Sequence, residues 1–202
     1  MDEIVLRAIA KWPEVPSVFN WLSLDRRGNW FIKNERIANS AITEFISRNY
    51  AADEHGRWFF QNGPQRVFVK LAYAPFVYRT VLLADGGLDL VAHTGTPAGR
   101  IAALLIDEND LMLADTAVGV GVIHDQDLAE ISTRFVDAAG ARIGDIELEA
   151  ALAQLSPKTA NGSLLLRLSG SSVPVSRVES TEVAHRFGFD PDPQPATGQP
   201  DC

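Results

Sequence analysis

One ten-residue segment of this chain occurs twice, 28 residues apart, and this repeat constrains the fold more than any other feature. The copies, residues 25–34 and 53–62, are identical at five of ten positions. Each begins with an aspartate, Asp25 or Asp53, whose side chain can cap a turn, and each carries a glycine three positions later. Glycine supplies the positive φ that such turns require. The repeat therefore predicts two tight turns, each leading into an aromatic strand.

A helix is predicted between the copies, because apolar residues recur there at spacings of three and four. Asn39 and Ser40 are candidate caps, and the helix should end near Tyr50. The apolar positions are Ile37, Ala38, Ala41, Ile42, Phe45 and Ile46. Two copies are too few for a solenoid. We therefore expect a duplicated α+β module over residues 21–84, after a lead-in over residues 1–20.

Alternation of apolar and polar residues, together with turn signals, predicts a β-rich second domain over residues 85–189. Asp85-Gly86 between two apolar runs indicates a hairpin. Asp127 followed by Glu130 indicates the start of a helix, with Leu128, Ile131 and Phe135 on one face. Strands are expected at 67–73 and 76–83 at the end of the first module. In the second domain strands are expected at 88–93, 101–106, 111–113, 118–123, 164–168 and 183–187, and a second helix at 148–155. The fold class is α+β with mainly antiparallel sheet. The proline-rich segment 190–202 is expected to be disordered.

Charge is divided unequally along the 202 residues. The net charge is −8, but residues 1–100 carry 12 basic and 10 acidic side chains and residues 101–202 carry 6 and 16. A duplex-DNA binder normally has a basic face and a high pI, so duplex DNA is a disfavoured partner. The single cysteine, Cys202, excludes a disulfide framework. No long apolar run and no basic N-terminus is present, so no membrane association and a cytoplasmic location are expected.

Motifs for catalysis and for cofactors are not found. Gly119-Val120-Gly121 lacks the third glycine of a dinucleotide-binding loop, so close packing of strands is the better interpretation. The four histidines, His55, His93, His124 and His185, show no metal-ligand spacing. We therefore predict no catalytic residue, no metal and no cofactor, and favour a protein that is not an enzyme.

Two segments are candidate binding sites. The first is the repeat, whose first copy offers Trp30 and whose second copy with its following turn offers Arg57, Trp58, Asn62, Gln65 and Arg66. The second is the loop from His93 to Arg100, whose glycines, hydroxyls and charges could hold an anion. For the first segment, aromatic residues packed in the core are the simpler explanation. For the second, the simpler explanation is an ordinary loop between strands.

The stretch 21–81 resembles an uncharacterised proteobacterial family of unknown function. The likeness is carried by Asp25-x-x-Gly28-x-Trp30-Phe31, by residues 45–50 and by 53–67. The chain is also remotely similar to a second unknown-function bacterial family with a duplicated GxW motif, and Ala74-Pro75-Phe76 matches a run in that family. This resemblance implies a second domain like a pleckstrin-homology fold, and an interdomain groove for a protein or nucleic-acid ligand.

The sequence thus favours a non-enzymatic binding or regulatory module with a signalling role and a protein partner. One alternative is a small-ligand enzyme or sensor that uses His93 and Arg100 with a carboxylate such as Asp115. Another is single-stranded nucleic acid, stacked on Trp30 and Trp58 beside arginines.

Overall fold

The computed structural model describes residues 1–13, 15–156 and 164–195. Contacts divide the chain into a first unit, Met1–Pro75 with Ala184–Cys202, and a second unit, Phe76–Val183. Both are mixtures of helices and mostly antiparallel sheet, so the predicted α+β class is confirmed. The domain boundary predicted at residue 84 falls inside a hairpin of the second unit. No helix in the described part of the chain is long and apolar enough to span a membrane.

The first unit consists of two similar halves placed side by side. Its elements are α1 (Glu3–Lys11), β1 (Val18–Leu24), β2 (Trp30–Ile32), β3 (Glu35–Arg36), α2 (Ser40–Arg48), β4 (Tyr50–Ala52), β5 (Trp58–Asn62) and β6 (Gln65–Leu71). Each half has one helix and a three-stranded antiparallel meander. The sheet order is β3-β2-β1-β6-β5-β4, and parallel pairing of β1 with β6 joins the halves.

The two predicted turns have the same geometry. In the first, Asp25 Oδ1 accepts hydrogen bonds from the amides of Arg27 and Asn29, both at 2.8 Å. In the second, Asp53 Oδ1 accepts from the amides of His55 and Arg57, both at 3.0 Å. Each turn therefore connects two antiparallel strands, β1 to β2 and β4 to β5, in place of the turn-then-strand unit expected from the sequence.

Helix α2 begins where its cap was predicted. The Asn39 side chain accepts hydrogen bonds from the amides of Ala41 and Ile42, which satisfies two of the free donors of a helix start. Ile46 is buried, and the Phe45 ring meets the Phe60 ring edge-on at 5.5 Å. The helix thus covers the end of the sheet formed by the second half.

The second unit is built on an eight-stranded sheet of order β12-β13-β14-β9-β10-β11-β7-β8. Its strands are β7 (Phe76–Leu82), β8 (Leu88–Ala92), β9 (Ile101–Ile106), β10 (Met112–Thr116), β11 (Val120–Ile123), β12 (Phe135–Asp137), β13 (Leu164–Leu168) and β14 (Ser171–Arg177), and its helices are α3 (Leu128–Ser132), α4 (Asp145–Gln154) and the start of α5 (Ser180–Phe187). The predicted β7–β8 hairpin is confirmed.

Gly121 allows aromatic residues to pack against β11. A Cβ at this position would lie 2.5 Å from Tyr78 Cε2 and 2.7 Å from Phe76 Cβ, both on the neighbouring strand β7. The interpretation of the Gly119-Val120-Gly121 run as close strand packing is therefore confirmed.

Two sequence predictions of local structure differ from the structure. The strand predicted at 183–187 is wrong, because these residues belong to α5; Val183 and Phe187 are four positions apart, which suits a helix equally well. Phe135 was expected on the face of α3 but lies in β12, since that helix ends at Ser132. Helix α1 was not predicted.

The C-terminal segment packs on the first unit beside the second turn. Phe189 is buried, the Asp190 amide donates to the Gly56 carbonyl at 3.0 Å, and the Leu71 amide donates to the Pro191 carbonyl at 2.8 Å. Prolines lack an amide donor, but their carbonyls still accept hydrogen bonds. Disorder was expected from Asp190 onward, and the structure differs through residue 195; residues 196–202 lie outside the described residues.

An ion pair ties β7 to the start of α3. Arg79 Nε lies 2.6 Å from Asp127 Oδ2, its Nη2 lies 3.1 Å from Oδ1, and the Thr80 amide also donates to this carboxylate. Burial by itself would raise the pKa of Asp127, but the hydrogen bonds from Arg79 and Thr80 and the charge of Arg79 lower this pKa below its ordinary value. The carboxylate is thus stabilised in its charged form.

We expect Asp127→Asn to lower the free energy of unfolding by about 1.5–3 kcal/mol at pH 7, the range for hydrogen bonds to charged groups. Because the folded pKa is depressed, this stabilisation is present above the ordinary aspartate pKa, about 3.9, and is lost as pH falls through the folded value. Urea unfolding of both proteins should show curves that converge toward pH 2. The control is Glu149→Gln, at an exposed position of α4, which should change neither the free energy of unfolding at pH 7 nor its dependence on pH. Equal stability of wild type and Asp127→Asn at pH 7 would contradict a stabilising role for the Arg79–Asp127 pair.

Candidate functional site

Trp30 and Trp58 form an aromatic cluster with Tyr50 inside the first unit. The Trp30 and Tyr50 rings meet edge-on at 5.2 Å, and the Tyr50 and Trp58 rings are tilted at 4.8 Å. Trp30 is only 2% exposed, and burial raises the pKa of Tyr50 well above its ordinary value. The Tyr50 hydroxyl donates to the Pro75 carbonyl at 3.1 Å. Trp30, which was predicted as a binding residue, is therefore a core residue.

Arg57 and Arg66 lie on the opposite face of the same sheet. Alternation along β5 and β6 places Phe59 and Phe68 on this face, and the Arg57 and Arg66 guanidinium carbons lie 4.7 Å from the centres of the Phe68 and Phe59 rings, respectively. Arg57 Nη2 is also 2.7 Å from Asp53 Oδ2. These arginines cover an aromatic surface.

The Asp53–Arg57 pair fixes the second turn electrostatically. Burial alone would raise the pKa of Asp53, but hydrogen bonds from the Arg57 side chain and from the amides of Arg57 and His55, together with the Arg57 charge, lower this pKa below its ordinary value. The charge of Arg57 is therefore largely committed to the turn, which leaves it less able to bind an external anion.

An open apolar groove lies on the face of the sheet that carries α2. Its volume is about 380 Å³, and its walls come from β1, β2, α2, β5 and β6. The lining residues are Val18, Trp21, Leu22, Ile32, Ile42, Ile46, Phe60, Asn62, Gln65 and Val67. Two of the predicted site residues, Asn62 and Gln65, therefore meet at this groove, whereas Trp30, Arg57, Trp58 and Arg66 are not among its lining residues.

The groove occupies the position that a helix fills in the other half of the repeat. Phe60 in β5 and Ile32 in β2 are equivalent positions, 28 residues apart. Phe60 lies beneath Phe45 of α2 and is 9% exposed, whereas Ile32 is 44% exposed. The first half also has a helix, but the start of α1 lies at the end of α2, where the Asp2 amide donates to Asn49 Oδ1 at 2.7 Å, and no residue of α1 lines the groove. The second half of the sheet is thus covered by its helix, and the corresponding surface of the first half is open.

The walls of the groove include large apolar side chains that sequence reasoning did not select. Ile42, on the first turn of α2, is 46% exposed, although its helical spacing predicted a core position. Trp21 is also exposed, and the Lys33 ammonium lies 3.7 Å from the centre of its ring. Alternation along a regular strand would place Trp21 on the face opposite Leu22. Both line the groove because the β1–β6 register shifts between Val18 and Leu22 and Asn20 has φ +60°, so alternation could not predict Trp21.

Several backbone amides of the loop from His93 to Arg100 donate hydrogen bonds to carbonyls of the protein itself. The amides of His93, Gly95 and Ala98 donate to the carbonyls of Val77, Ala92 and Leu90, respectively, at 2.7–2.9 Å. His93 Nδ1 accepts from the Val77 amide at 3.3 Å. A backbone anion nest needs such amides to point at the ligand, so this loop is shaped as a connection between strands.

Arg100 belongs to a separate polar cleft of about 440 Å³ within the second unit. The cleft is lined by Leu88, Asp89, Gly99, Arg100, Ile101, Ala102, Leu168, Ser169, Ser171, Ser172, Val173 and Pro174. His93 does not line it, so the structure does not bring the two predicted loop residues into one cavity. Among residues 1–13, 15–156 and 164–195, no cluster of three or more His, Cys, Asp or Glu could hold a metal ion.

Comparison with known proteins agrees with the resemblance predicted from the sequence. The family model DUF2944, described as "Protein of unknown function (DUF2946)", matches residues 1–194. No curated protein matches the chain.

Two crystal structures are similar to the chain. A DUF1285 family protein from Silicibacter pomeroyi DSS-3 is 18% identical, with a TM-score of 0.52 over 90% of this chain and 99% of that one. A DUF1285 family protein from Shewanella baltica OS155 is 11% identical, with a TM-score of 0.42 over 54% of this chain and 87% of that one. The first of these shows a shared fold.

Proposed function

The chain belongs to the DUF2944 family of proteins of unknown function, and we propose that it is a non-enzymatic binding module that holds an amphipathic helix of a partner protein. The binding surface is the apolar groove of the first unit. The observation that carries this proposal is the difference between the two halves of the repeat, in which Phe60 is covered by α2 while the equivalent Ile32 is exposed.

An amphipathic helix fits this groove because the same surface already accepts one in the second half. Residues at i, i+3, i+4 and i+7 of a bound helix would present apolar side chains to Ile32 and Ile42, as Phe45 does to Phe60. A helix of nine residues, the length of α2, is about 13 Å long. The proposal therefore needs only two to three turns of a partner.

The rim of the groove gives the partner a preferred charge. Lys33 lies over Trp21, where the cation–π contact holds the indole as one wall. Asn62 and Gln65 add side-chain amides to the lining, and the Gln65 Nε2 donates to the Pro16 carbonyl at 3.1 Å. We infer that the bound helix carries an acidic side chain on the flank that faces Lys33, since a rim charge of this kind selects partners and raises association rates.

The alternatives have weaker support in the contacts. Base stacking needs exposed rings, and the Trp30 ring is buried. A small-ligand site at the 93–100 loop would need convergent donors, and three amides of that loop are used in hydrogen bonds to the protein itself. The pleckstrin-homology likeness of the second unit and a signalling role stay predictions.

Selection of helical peptides from a display library on the purified protein tests the proposal. We expect enriched peptides to carry apolar residues at i, i+3 or i+4, and i+7, with an acidic residue beside them. Ile32→Asp and Ile42→Asp should each weaken their binding at least tenfold, about 1.4 kcal/mol, because a carboxylate would be desolvated in an apolar contact.

The matched control is Ile146→Asp, which makes the same change at an exposed isoleucine of α4 in the second unit. It should leave the affinity within twofold of wild type. Failure to enrich any helical peptide, or equal affinity of the enriched peptides for wild type, Ile32→Asp and Ile42→Asp, would overturn the proposal.

A further inference from the structure

Three arginines lie together on one face of the β12–β13 pair in the second unit. The Arg167 amide donates to the Arg134 carbonyl at 2.9 Å, so these residues face each other one step beyond the Phe135–Leu166 pair. Val136 forms a bridge with Arg142. Because residues two apart on a strand share a face, Arg134 and Val136 point the same way, and Arg142 and Arg167 accompany them.

These arginines surround a small cleft. Its volume is about 240 Å³, and its lining residues are Thr133, Arg134, Val136, Arg142 and Arg167. Typical sites for drug-sized ligands measure about 300–1,000 Å³. The cleft therefore suits one compact charged group with a small attachment.

Two of the guanidinium groups are held in place by the protein. Arg134 Nη2 lies 2.7 Å from Glu130 Oε1, and its Nη1 donates to the Gly86 carbonyl at 2.9 Å. The Arg167 Nη2 donates to the Gly140 carbonyl. A guanidinium has five N–H donors, so both groups keep donors for a ligand after making these contacts.

The third guanidinium is uncommitted. Within the described residues, the Arg142 side chain makes no hydrogen bond and no ion pair. The lining carries three positive charges, and of these Arg134 alone has an ion-pair partner among the described residues, Glu130; like charges that face each other across strands destabilise a sheet. The second unit is acidic as a whole, with fifteen acidic and seven basic side chains, which makes a basic cleft there a local exception.

We propose that this cleft binds the phosphoryl group of a small phosphorylated molecule. Arginine forks match phosphate oxygens in paired hydrogen bonds, and a phosphoryl dianion has enough oxygens to accept from two or three guanidinium groups at once. The acidic surroundings disfavour a nucleic-acid polyanion. The site is separate from the apolar groove of the first unit and does not depend on the function proposed there.

Isothermal titration at constant ionic strength with inorganic phosphate and with AMP tests this proposal. We expect binding of both, with Arg142→Gln and Arg167→Gln each weakening it about tenfold, as expected for the loss of a charge-assisted pair. Arg142→Lys, which keeps the charge but loses the fork, should have an intermediate affinity. Tighter binding of AMP than of phosphate supports a phosphorylated molecule as the ligand class; equal or weaker binding of AMP assigns the cleft to free phosphate and overturns that ligand class.

Arg100→Gln is the matched control, since it removes an exposed arginine of the same unit that lines a different cleft. It should leave both affinities unchanged. The Arg142→Gln protein should have a thermal midpoint no lower than that of wild type, because within the described part of the chain that side chain has no hydrogen bond or ion pair to lose and its removal relieves a like-charge contact. The proposal is overturned by the absence of phosphate and AMP binding, by binding that survives Arg142→Gln and Arg167→Gln, or by binding that Arg100→Gln weakens equally.

Discussion

Trp30→Ala should lower the free energy of unfolding by about 4 kcal/mol, in the range for removal of a buried aromatic side chain. Trp30 is 2% exposed and contacts the Tyr50 ring edge-on. Alanine leaves a cavity between the two halves of the repeat and removes the aromatic pair, which itself contributes about 0.5–1.5 kcal/mol. Urea unfolding followed by far-UV circular dichroism measures the effect as a lower midpoint with an unchanged slope.

Trp21→Ala is the matched control, because Trp21 is an exposed tryptophan of the same unit. It should cost less than about 1 kcal/mol while weakening binding at the groove. Equal destabilisation by the two substitutions, or a stable Trp30→Ala protein, would contradict the placement of Trp30 in the core and restore it as a candidate contact residue.

Gly56→Ala should cost about 3 kcal/mol, because two independent penalties combine at this residue. Gly56 has φ +72°, a conformation that costs an L-residue about 1–2 kcal/mol. A Cβ there would also lie 2.1 Å from the Gly188 carbonyl oxygen and 3.0 Å from Phe189 Cα. The C-terminal segment must move away, which breaks the Asp190–Gly56 backbone hydrogen bond. Thermal unfolding and the protection of the Asp190 and Leu71 amides in hydrogen exchange measure the two consequences.

Gly86→Ala separates these penalties. Gly86 has φ +80° in the β7–β8 turn, but nothing lies within 4 Å of the position of its Cβ. Only the conformational cost of about 1–2 kcal/mol applies there. If Gly56→Ala destabilises the protein no more than Gly86→Ala, the C-terminal segment does not pack against the second turn.

Local chemistry explains why the turns could be predicted from the sequence. The carboxylate of Asp137 accepts from the amides of Ala139 and Ala141, and Asp107 accepts in the same way from Asn109 and Leu111. The hairpin turn of the repeat thus recurs in the second unit without a following tryptophan. Such turns depend on four or five consecutive residues, so they are readable without knowledge of the fold.

Contacts between distant residues explain why the candidate site could not be predicted. The parallel pairing of β1 with β6 joins residues about 47 positions apart, and no periodicity in either strand specifies it. The exposure of Ile32 depends on where α2 lies above the sheet, and that position is set by Phe45 and Ile46 against the second half. The sequence repeat made the two halves look equivalent, whereas the helix makes them different.

The aromatic residues of the repeat show the same limit. A tryptophan after an Asp-x-x-Gly turn is compatible with a binding surface and with a core, and only the face of the strand decides. Trp30 pairs with Leu24, which pairs with Leu71 in β6, so its ring lies on the buried apolar face. Asn62 and Gln65 were predicted as binding residues; they line the groove, at the turn between β5 and β6, and their binding role stays a prediction.

Isoleucine-methyl NMR of the full chain, titrated with a helical peptide from the display selection, tests the central claim most directly. The claim is that the open half of the duplicated module binds a partner helix. We expect the largest shifts at Ile32, Ile42 and Ile46, with Ile101, Ile106 and Ile146 of the second unit unchanged. Shifts confined to Ile101, which lines the polar cleft with Arg100, with no change at the groove isoleucines, would contradict the claim and assign binding to the second unit.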